Sequence, residues 1–174
     1  MQRYTGTALF LHWAMAVLIV CAFVLGLIMT DIHGITPTKL RYYSWHKWLG
    51  VTVLALACMR VLWRKFNLPP PHSPRMPEWQ KKAADGMHLL LYLLIFAVPA
   101  SGYFYTLSAG VPVVYLGLFP LPVLMAPNPE LKPILKTLHY ILTMGMAGAV
   151  AIHVLAALKH HFINRDDVLK RMLP

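Results

Sequence analysis

Acidic side chains are scarce in this sequence of 174 residues, which has 6 Asp and Glu against 16 Lys and Arg and is only 13% charged. Cysteine is nearly absent: Cys21 and Cys58 both fall in apolar runs, so neither a disulfide framework nor a CxxC metal site is predicted. No basic segment carries the interleaved aromatic residues of a base-stacking surface, so no nucleic acid partner is expected. The scarcity of charge favours membrane lipid as the surroundings of the chain.

Apolar residues make up 58% of the chain, above the roughly 45–50% of an ordinary soluble domain. Four runs reach the roughly 20 residues that a membrane-spanning helix requires. We therefore predict an all-α fold, an integral membrane four-helix bundle, with residues 1–174 as one domain. The predicted spans are about Leu9–Met29, Tyr43–Trp63, Ala84–Leu107 and Leu135–His160. No A-x-A-like cleavage site follows the first run, so we expect Met1–Pro174 to be the mature chain.

The distribution of basic residues predicts the orientation of these spans. One side would hold Arg3, Arg60, Arg64, Lys65, Arg75, Lys81, Lys82, Lys159, Arg165, Lys170 and Arg171. The other side would hold Lys39, Arg41, Lys47, Lys132 and Lys136. Because cytoplasmic loops carry the excess of Lys and Arg, both termini are predicted to be cytoplasmic.

Two proline-rich connections interrupt the helical runs. Phe66–Pro77 contains five prolines and cannot be helical, so we expect a surface connection on the cytoplasmic side. Ser108–Pro133 is long, apolar and broken by prolines. It is too short to span, and we expect a loop or an interfacial flap over the outer ends of the helices.

Histidines recur on the predicted helices at two depths. His139 and His153 are 14 residues apart on the last helix, which brings them within about 40° of one face and about 21 Å apart along the axis. Depth pairs His46 with His139 at the outer level and His12 with His153 at the inner level. Neutral imidazole is a common iron ligand, and facing helices of a bundle can supply two axial ligands to a haem. We therefore predict two haem b groups.

Further residues on the same faces fit this interpretation. Arg60 is 14 residues after His46, so it would project at the inner level toward a haem propionate or, alternatively, a lipid phosphate. Gly50, Gly145 and Gly148 would let a flat macrocycle approach the backbone, although small residues also serve helix packing in membranes.

Two more histidines fall at the cytoplasmic end of the helices. Either His88 or His160 could replace His12 or His153 as an inner haem ligand, because depth alone does not separate them. Otherwise, they are suited to hydrogen-bond a quinone carbonyl and to pass protons.

A set of motifs in order along the chain resembles the bacterial cytochrome b561 family, which consists of small di-haem, quinone-reactive membrane proteins. The motifs are LHW at Leu11–Trp13, WHKWLG at Trp45–Gly50, the Arg60 and Arg64 pair, MHLLLYLL at Met87–Leu94, LHY at Leu138–Tyr140, AIHVLAALKHHF at Ala151–Phe162 and the tail DDVLKRMLP. The resemblance covers essentially the whole chain and implies a multi-pass protein of the bacterial inner membrane.

Within this family the chain is most similar to members that oxidise superoxide at the outer face and reduce ubiquinone near the inner haem. The resemblance therefore implies a superoxide:ubiquinone oxidoreductase, or superoxide oxidase. It implies the haem ligands already paired by depth, a quinone site near His88 and His160, and a role in catalysis for Lys136, three residues before His139. Leu138 departs from relatives that have tryptophan beside this histidine.

A cytochrome b anchor subunit, carrying electrons between quinone and a partner dehydrogenase or hydrogenase, would use the same four histidines. Such a subunit should present a docking surface or an extension outside the membrane, and the outer connection Asp31–Tyr42 is short. We therefore expect superoxide or another small redox donor, and no obligate protein partner.

Overall fold

The computed structural model describes residues 3–72 and 76–173, so Arg75, one of the residues in the charge distribution above, lies outside the described residues. The described chain forms four long helices: α1 (Gly6–Asp31), α2 (Pro37–Phe66), α3 (Glu78–Ser108) and α4 (Leu131–Phe162). Two short strands, β1 (Val114–Tyr115) and β2 (Phe119–Pro120), pair antiparallel between α3 and α4, and a 3-10 turn, Lys170–Met172, follows α4. The predicted all-α class is confirmed.

Each helix extends beyond the apolar run from which it was predicted, and in α1 and α2 a threonine outside the run caps the first turn. The Thr5 hydroxyl accepts the backbone N–H of Ala8 at the start of α1. The Thr36 hydroxyl accepts the N–H of Lys39 at the start of α2, where Pro37 holds the first position. Helix α2 includes Phe66, the first residue of the connection that was predicted to be non-helical, and its C-cap is Asn67.

Three of the four helices, α1, α3 and α4, are long and apolar enough to cross a membrane. The remaining predicted span, Tyr43–Trp63, lies in α2, which does not meet that measure. The reason is its charge: α2 contains Lys39, Arg41, Lys47, Arg60, Arg64 and Lys65. Composition therefore supports membrane crossing for three helices. For α2 the relevant observation is how it packs against the other three.

All four helices contribute side chains to one core. The buried residues of this core are Met15 from α1, Val53 and Ala57 from α2, Leu94 and Ile95 from α3, and Met146 and Ala149 from α4. Because α2 packs into the same core as the three apolar helices, it lies alongside them for much of their length.

The connection between α3 and α4, predicted to face outward, lies against the side of α2. The indole Nε1 of Trp48 donates to the Val114 carbonyl oxygen (2.8 Å), and the hydroxyls of Thr52 and Tyr115 are 2.9 Å apart. The hairpin turns at Gly117, whose φ of 73° favours glycine. The segment predicted as a loop or flap over the helix ends thus contains a small hairpin, which polar contacts hold against the side of α2.

The chain after α4 folds back across the opposite end of the helices. Arg171 donates through Nη1 to the Pro71 carbonyl (2.7 Å) and through Nη2 to Asp167 (2.8 Å). Trp13 donates through Nε1 to the Met172 carbonyl (2.7 Å). The hydrogen bond from Arg171 holds the pKa of the Asp167 carboxyl below its usual value. The tail thus ties together α1, the connection after α2, and the end of α4.

Candidate functional site

The structure brings His46 of α2 and His139 of α4 together, as predicted for the outer level. Their ring centroids are 6.2 Å apart. Two imidazoles that bind one metal ion through one nitrogen each, at about 2 Å, have ring centroids about 6 Å apart. The spacing therefore fits two imidazoles that would bind one iron.

Hydrogen bonds at Nδ1 determine which nitrogen of each outer ring can bind a metal. Nδ1 of His46 lies 2.9 Å from the Ala22 carbonyl oxygen, and Nδ1 of His139 lies 3.1 Å from that of Val98 and 3.0 Å from the Ser101 hydroxyl. A carbonyl oxygen can only accept, so Nδ1 carries the hydrogen in both rings. The other nitrogen, Nε2, is left unprotonated and can ligate iron.

Two glycines that the sequence reasoning missed make these hydrogen bonds possible. A Cβ on Gly26 of α1 would lie 3.3 Å from Cε1 of His46, and a Cβ on Gly102 of α3 would lie 2.9 Å from Cε1 of His139. Each glycine is four residues after the carbonyl that its histidine bonds, Ala22 or Val98. Both imidazoles are therefore positioned by the same arrangement, a backbone carbonyl that accepts from Nδ1 and a glycine one helical turn beyond that carbonyl.

The glycines predicted to face a macrocycle lie in less crowded surroundings. A Cβ on Gly145 or Gly148 of α4 would meet no described atom within 4 Å, and one on Gly50 would meet Pro99 at 4.0 Å. Thr143, one turn after His139, has a buried hydroxyl with no hydrogen-bond partner among the described residues. The open backbone of α4 and this unpaired hydroxyl between the two histidine levels fit a flat polar-edged group such as haem.

The inner level contains three imidazoles rather than two. The His153 ring of α4 has its centroid 6.3 Å from that of His12 on α1 and 5.7 Å from that of His88 on α3. The first of these distances matches the outer pair closely. Both neighbours are within reach of His153, so the choice between His12 and His88 as ligand stays open at this level.

Arg60 lies at the inner level, as its spacing from His46 predicts. Its Nε donates to the Tyr92 hydroxyl (3.1 Å), and its Nη1 donates to the Ala8 carbonyl (3.0 Å). Arg60 is close enough to His12 and His153 to act on both electrostatically. Within residues 3–72 and 76–173 it forms no salt bridge with a carboxylate, so its charge suits an added anion such as a propionate.

Two further predicted residues, His160 and Lys136, are not among these rings. His160 Nδ1 is 2.5 Å from the Asp166 carboxylate in the C-terminal tail, whereas the His88 ring lies against His153. The structure therefore does not join the two histidines predicted for quinone into one contact. Lys136 is exposed on α4, about one turn before His139.

Comparison with known proteins gives similarity over nearly the whole chain. Residues 3–174 match the family described as prokaryotic cytochrome b561. Cytochrome b561 homolog 2 of Escherichia coli (strain K12) is 34% identical over 172 residues, covering 99% of this chain and 92% of that protein. Homolog 1 of the same organism is 31% identical over 180 residues, covering 100% and 98%. The probable superoxide oxidase CybB of Yersinia pestis is 27% identical over 177 residues, covering 99% and 97%.

Replacing Gly102 with alanine tests whether the glycine makes room for the His139 ring. The new Cβ would stand 2.9 Å from the ring, which is too close for contact, so the imidazole must move and lose its place beside His46. If each level holds one haem, as predicted, Gly102→Ala should lower the haem content per polypeptide by about half, because the predicted inner ligands are not displaced. Gly86→Ala, on the same helix with nothing within 4 Å of its Cβ, should keep full haem content. Equal haem content in the two variants would contradict this role of Gly102.

Proposed function

Because this chain belongs to the prokaryotic cytochrome b561 family, whose members bind haem b and transfer electrons in bacterial membranes, we propose that it oxidises superoxide and reduces ubiquinone. The resemblance drawn from the sequence motifs is confirmed. The observation that carries the proposal is the two-level arrangement of imidazoles, with ring centroids 6.2 Å apart outside and 6.3 Å apart inside.

In the proposed topology all four helices cross the bacterial inner membrane and both termini are cytoplasmic. The basic residues of α2 support this arrangement because most lie near its ends, Lys39 and Arg41 at one and Arg64 and Lys65 at the other. Arg60, within the helix, has hydrogen-bond partners on α1 and α3. The excess of Lys and Arg on the side of the termini sets the orientation.

Two haem b groups are proposed, one held at each level. His46 and His139 would ligate the outer iron through Nε2, and His153 with His12 the inner iron, while Arg60 would bind a propionate. When bound, haem supplies the one-electron carrier that this reaction needs. The Ala22 and Val98 carbonyls orient the two outer imidazoles, and the four helices pack around one core.

At the outer face, the proposed reaction removes one electron from each of two superoxide anions and releases two O₂. The outer segments would hold Lys39, Arg41, Lys47, Lys132 and Lys136 against Asp31 and Glu130. This excess of positive charge would steer a small anion toward the outer pair, an effect that can raise encounter rates by about tenfold to a thousandfold. The name of the Yersinia pestis relative, a probable superoxide oxidase, supports the same substrate.

At the inner face, ubiquinone would take the two electrons together with two protons and leave as ubiquinol. We propose that His88, beside His153, hydrogen-bonds the quinone carbonyl. His160 would offer Nε2 to the same site or to incoming protons, because Asp166 holds its Nδ1. The C-terminal tail would shield this end from bulk water through its contacts with Trp13 and Pro71.

Single histidine replacements test the assignment of ligands to levels. His46→Ala should remove the outer haem and leave the inner one, because each iron depends on its own pair. His12→Ala should remove the inner haem, whereas His88→Ala should keep both haems and slow only quinone reduction. Pyridine-haemochrome quantification per polypeptide measures the outcome. Loss of the inner haem in His88→Ala but not in His12→Ala would make His88 the ligand.

Lys136 provides a test of the superoxide reaction itself. Lys136 precedes His139 by about one helical turn and is exposed, so Lys136→Gln should slow superoxide-driven haem reduction by about tenfold at low ionic strength and flatten its dependence on salt. Lys132→Gln removes the same charge about one turn further away and should have a smaller effect. Haem content and reduction from the quinol side should not change in either variant.

If Lys136→Gln keeps the rate of superoxide-driven haem reduction and its dependence on ionic strength, Lys136 does not steer superoxide. If the unmodified protein did not react with superoxide at all, the anchor-subunit function would replace the enzyme.

A further inference from the structure

Four of the six carboxylates of the sequence lie at the end of the bundle that carries both termini. They are Glu78, Asp85, Asp166 and Asp167. Two of the four form ion pairs with permanent cations, Glu78 with Lys81 (2.7 Å) and Asp167 with Arg171 (2.8 Å). Each of the other two pairs with a histidine, the side chain that takes up and releases a proton near neutral pH.

Asp166 is engaged in the fold of the C-terminal tail. Its Oδ2 lies 2.5 Å from Nδ1 of His160, and its Oδ1 accepts the backbone N–H of Val168 (3.1 Å). Only 24% of the Asp166 side chain and 15% of the His160 side chain are exposed. Both carboxylate oxygens therefore serve to hold the tail against the end of α4.

Asp85 lies in a different position, between water and the inner histidines. Its Oδ1 is 2.9 Å from Nε2 of His72, in the connection after α2. The side chains of Asp85 and His72 are 68% and 34% exposed, so both can exchange protons with water. Asp85 comes three residues before His88 on α3, and residues at this spacing are neighbours on one helix face. Asp85 and His72 are both close enough to act on His88 electrostatically.

The other charged or titratable groups near Asp85 and His88 are basic. They are Lys81 and Lys82 on α3, Arg64 on α2 and His153 on α4. Asp85 is thus the one carboxylate of the described chain that acts on His88. A group that takes protons from water and passes them to a site at His88 is therefore best sought in Asp85 and its partner.

We propose that Asp85 and His72 form a proton-uptake pair for the ubiquinone that His88 would bind. His72 takes a proton from water, and Asp85 receives it across their hydrogen bond. Asp85 then passes the proton to a quinone oxygen, directly or through one water molecule. Two such transfers, with the two electrons of the proposed reaction, convert ubiquinone to ubiquinol and return the pair to its starting state. The inference rests on the proposed function for the quinone at His88 and adds the residues that deliver its protons.

Reoxidation of the pre-reduced protein by added ubiquinone, followed by haem absorbance, measures this step. Asp85→Asn keeps the shape of the side chain and an oxygen that can accept from His72, but it cannot carry a proton. We expect the rate at saturating ubiquinone to fall about a hundredfold, the lower end of what a positioned acid contributes. The half-saturating ubiquinone concentration, the haem content and superoxide-driven haem reduction should not change.

Three further variants make the test specific. Asp85→Glu, which keeps an acid, should recover most of the rate. His72→Gln should lose less than Asp85→Asn, because water can protonate the exposed carboxylate directly. Glu78→Gln is the matched control: it removes a carboxylate from the same helix, but this carboxylate is paired with Lys81 and is seven residues before Asp85. It should keep the full rate.

The pH dependence and the solvent isotope effect separate proton delivery from a structural role. In Asp85→Asn the proton must come directly from solution. The rate should therefore fall more steeply than in the unmodified protein between about pH 6 and pH 8, and D₂O should slow it further. A changed haem content or half-saturating ubiquinone concentration, with the pH dependence and isotope effect of the unmodified protein, would mean that the pair only holds the connection after α2. That result would overturn the proposal.

An unchanged reoxidation rate in Asp85→Asn would also overturn it. If Asp166→Asn lost the rate instead, the protons would enter beside the C-terminal tail. If the unmodified protein, once reduced, were not reoxidised by ubiquinone at all, the proposed function itself would be wrong, a result that is distinct from a loss confined to the Asp85 variant.

Discussion

The structure depends on one constraint: an imidazole inside an apolar bundle needs a partner for each of its two nitrogens. At the outer level the chain supplies one partner as a backbone carbonyl, Ala22 for His46 and Val98 for His139. The second partner would be iron. A glycine one turn beyond each carbonyl lets the ring approach. Helices α1 and α3 thus shape the surroundings of the outer histidines, which come from α2 and α4.

The same residues explain how far the sequence could predict this site. Histidine spacing along α4 predicts two levels because helical geometry is regular, and the ring distances at both levels agree with that prediction. The roles of Gly26 and Gly102 were not predicted, because a backbone carbonyl leaves no trace in sequence and a glycine alone is equally typical of helix packing. Depth along a helix cannot separate His12 from His88, since both enter the bundle at the same end and both reach His153.

The fold, like the site, could be predicted only in part from the sequence. Apolar runs predict the four helices, but the predicted helices are shorter than the observed ones. In α1 and α2 the capping residues Thr5 and Thr36 lie outside those runs. The hairpin within the outer connection was not predicted, because it depends on contacts with Trp48 and Thr52 that are distant in sequence. The role of α2 also emerges only from packing. Because of its charges, its composition does not indicate a membrane span, whereas the structure shows that it packs into the common core.

The central claim is that this chain alone couples superoxide oxidation outside to ubiquinone reduction inside. The most direct measurement is the ratio of superoxide consumed to ubiquinol formed by the purified protein in ubiquinone-containing liposomes, with no other protein present. Two superoxide anions per ubiquinol, with His46→Ala inactive, is the expected result. Superoxide decay no faster than in protein-free liposomes, with the haems reduced only after a partner dehydrogenase or hydrogenase is added, would contradict it.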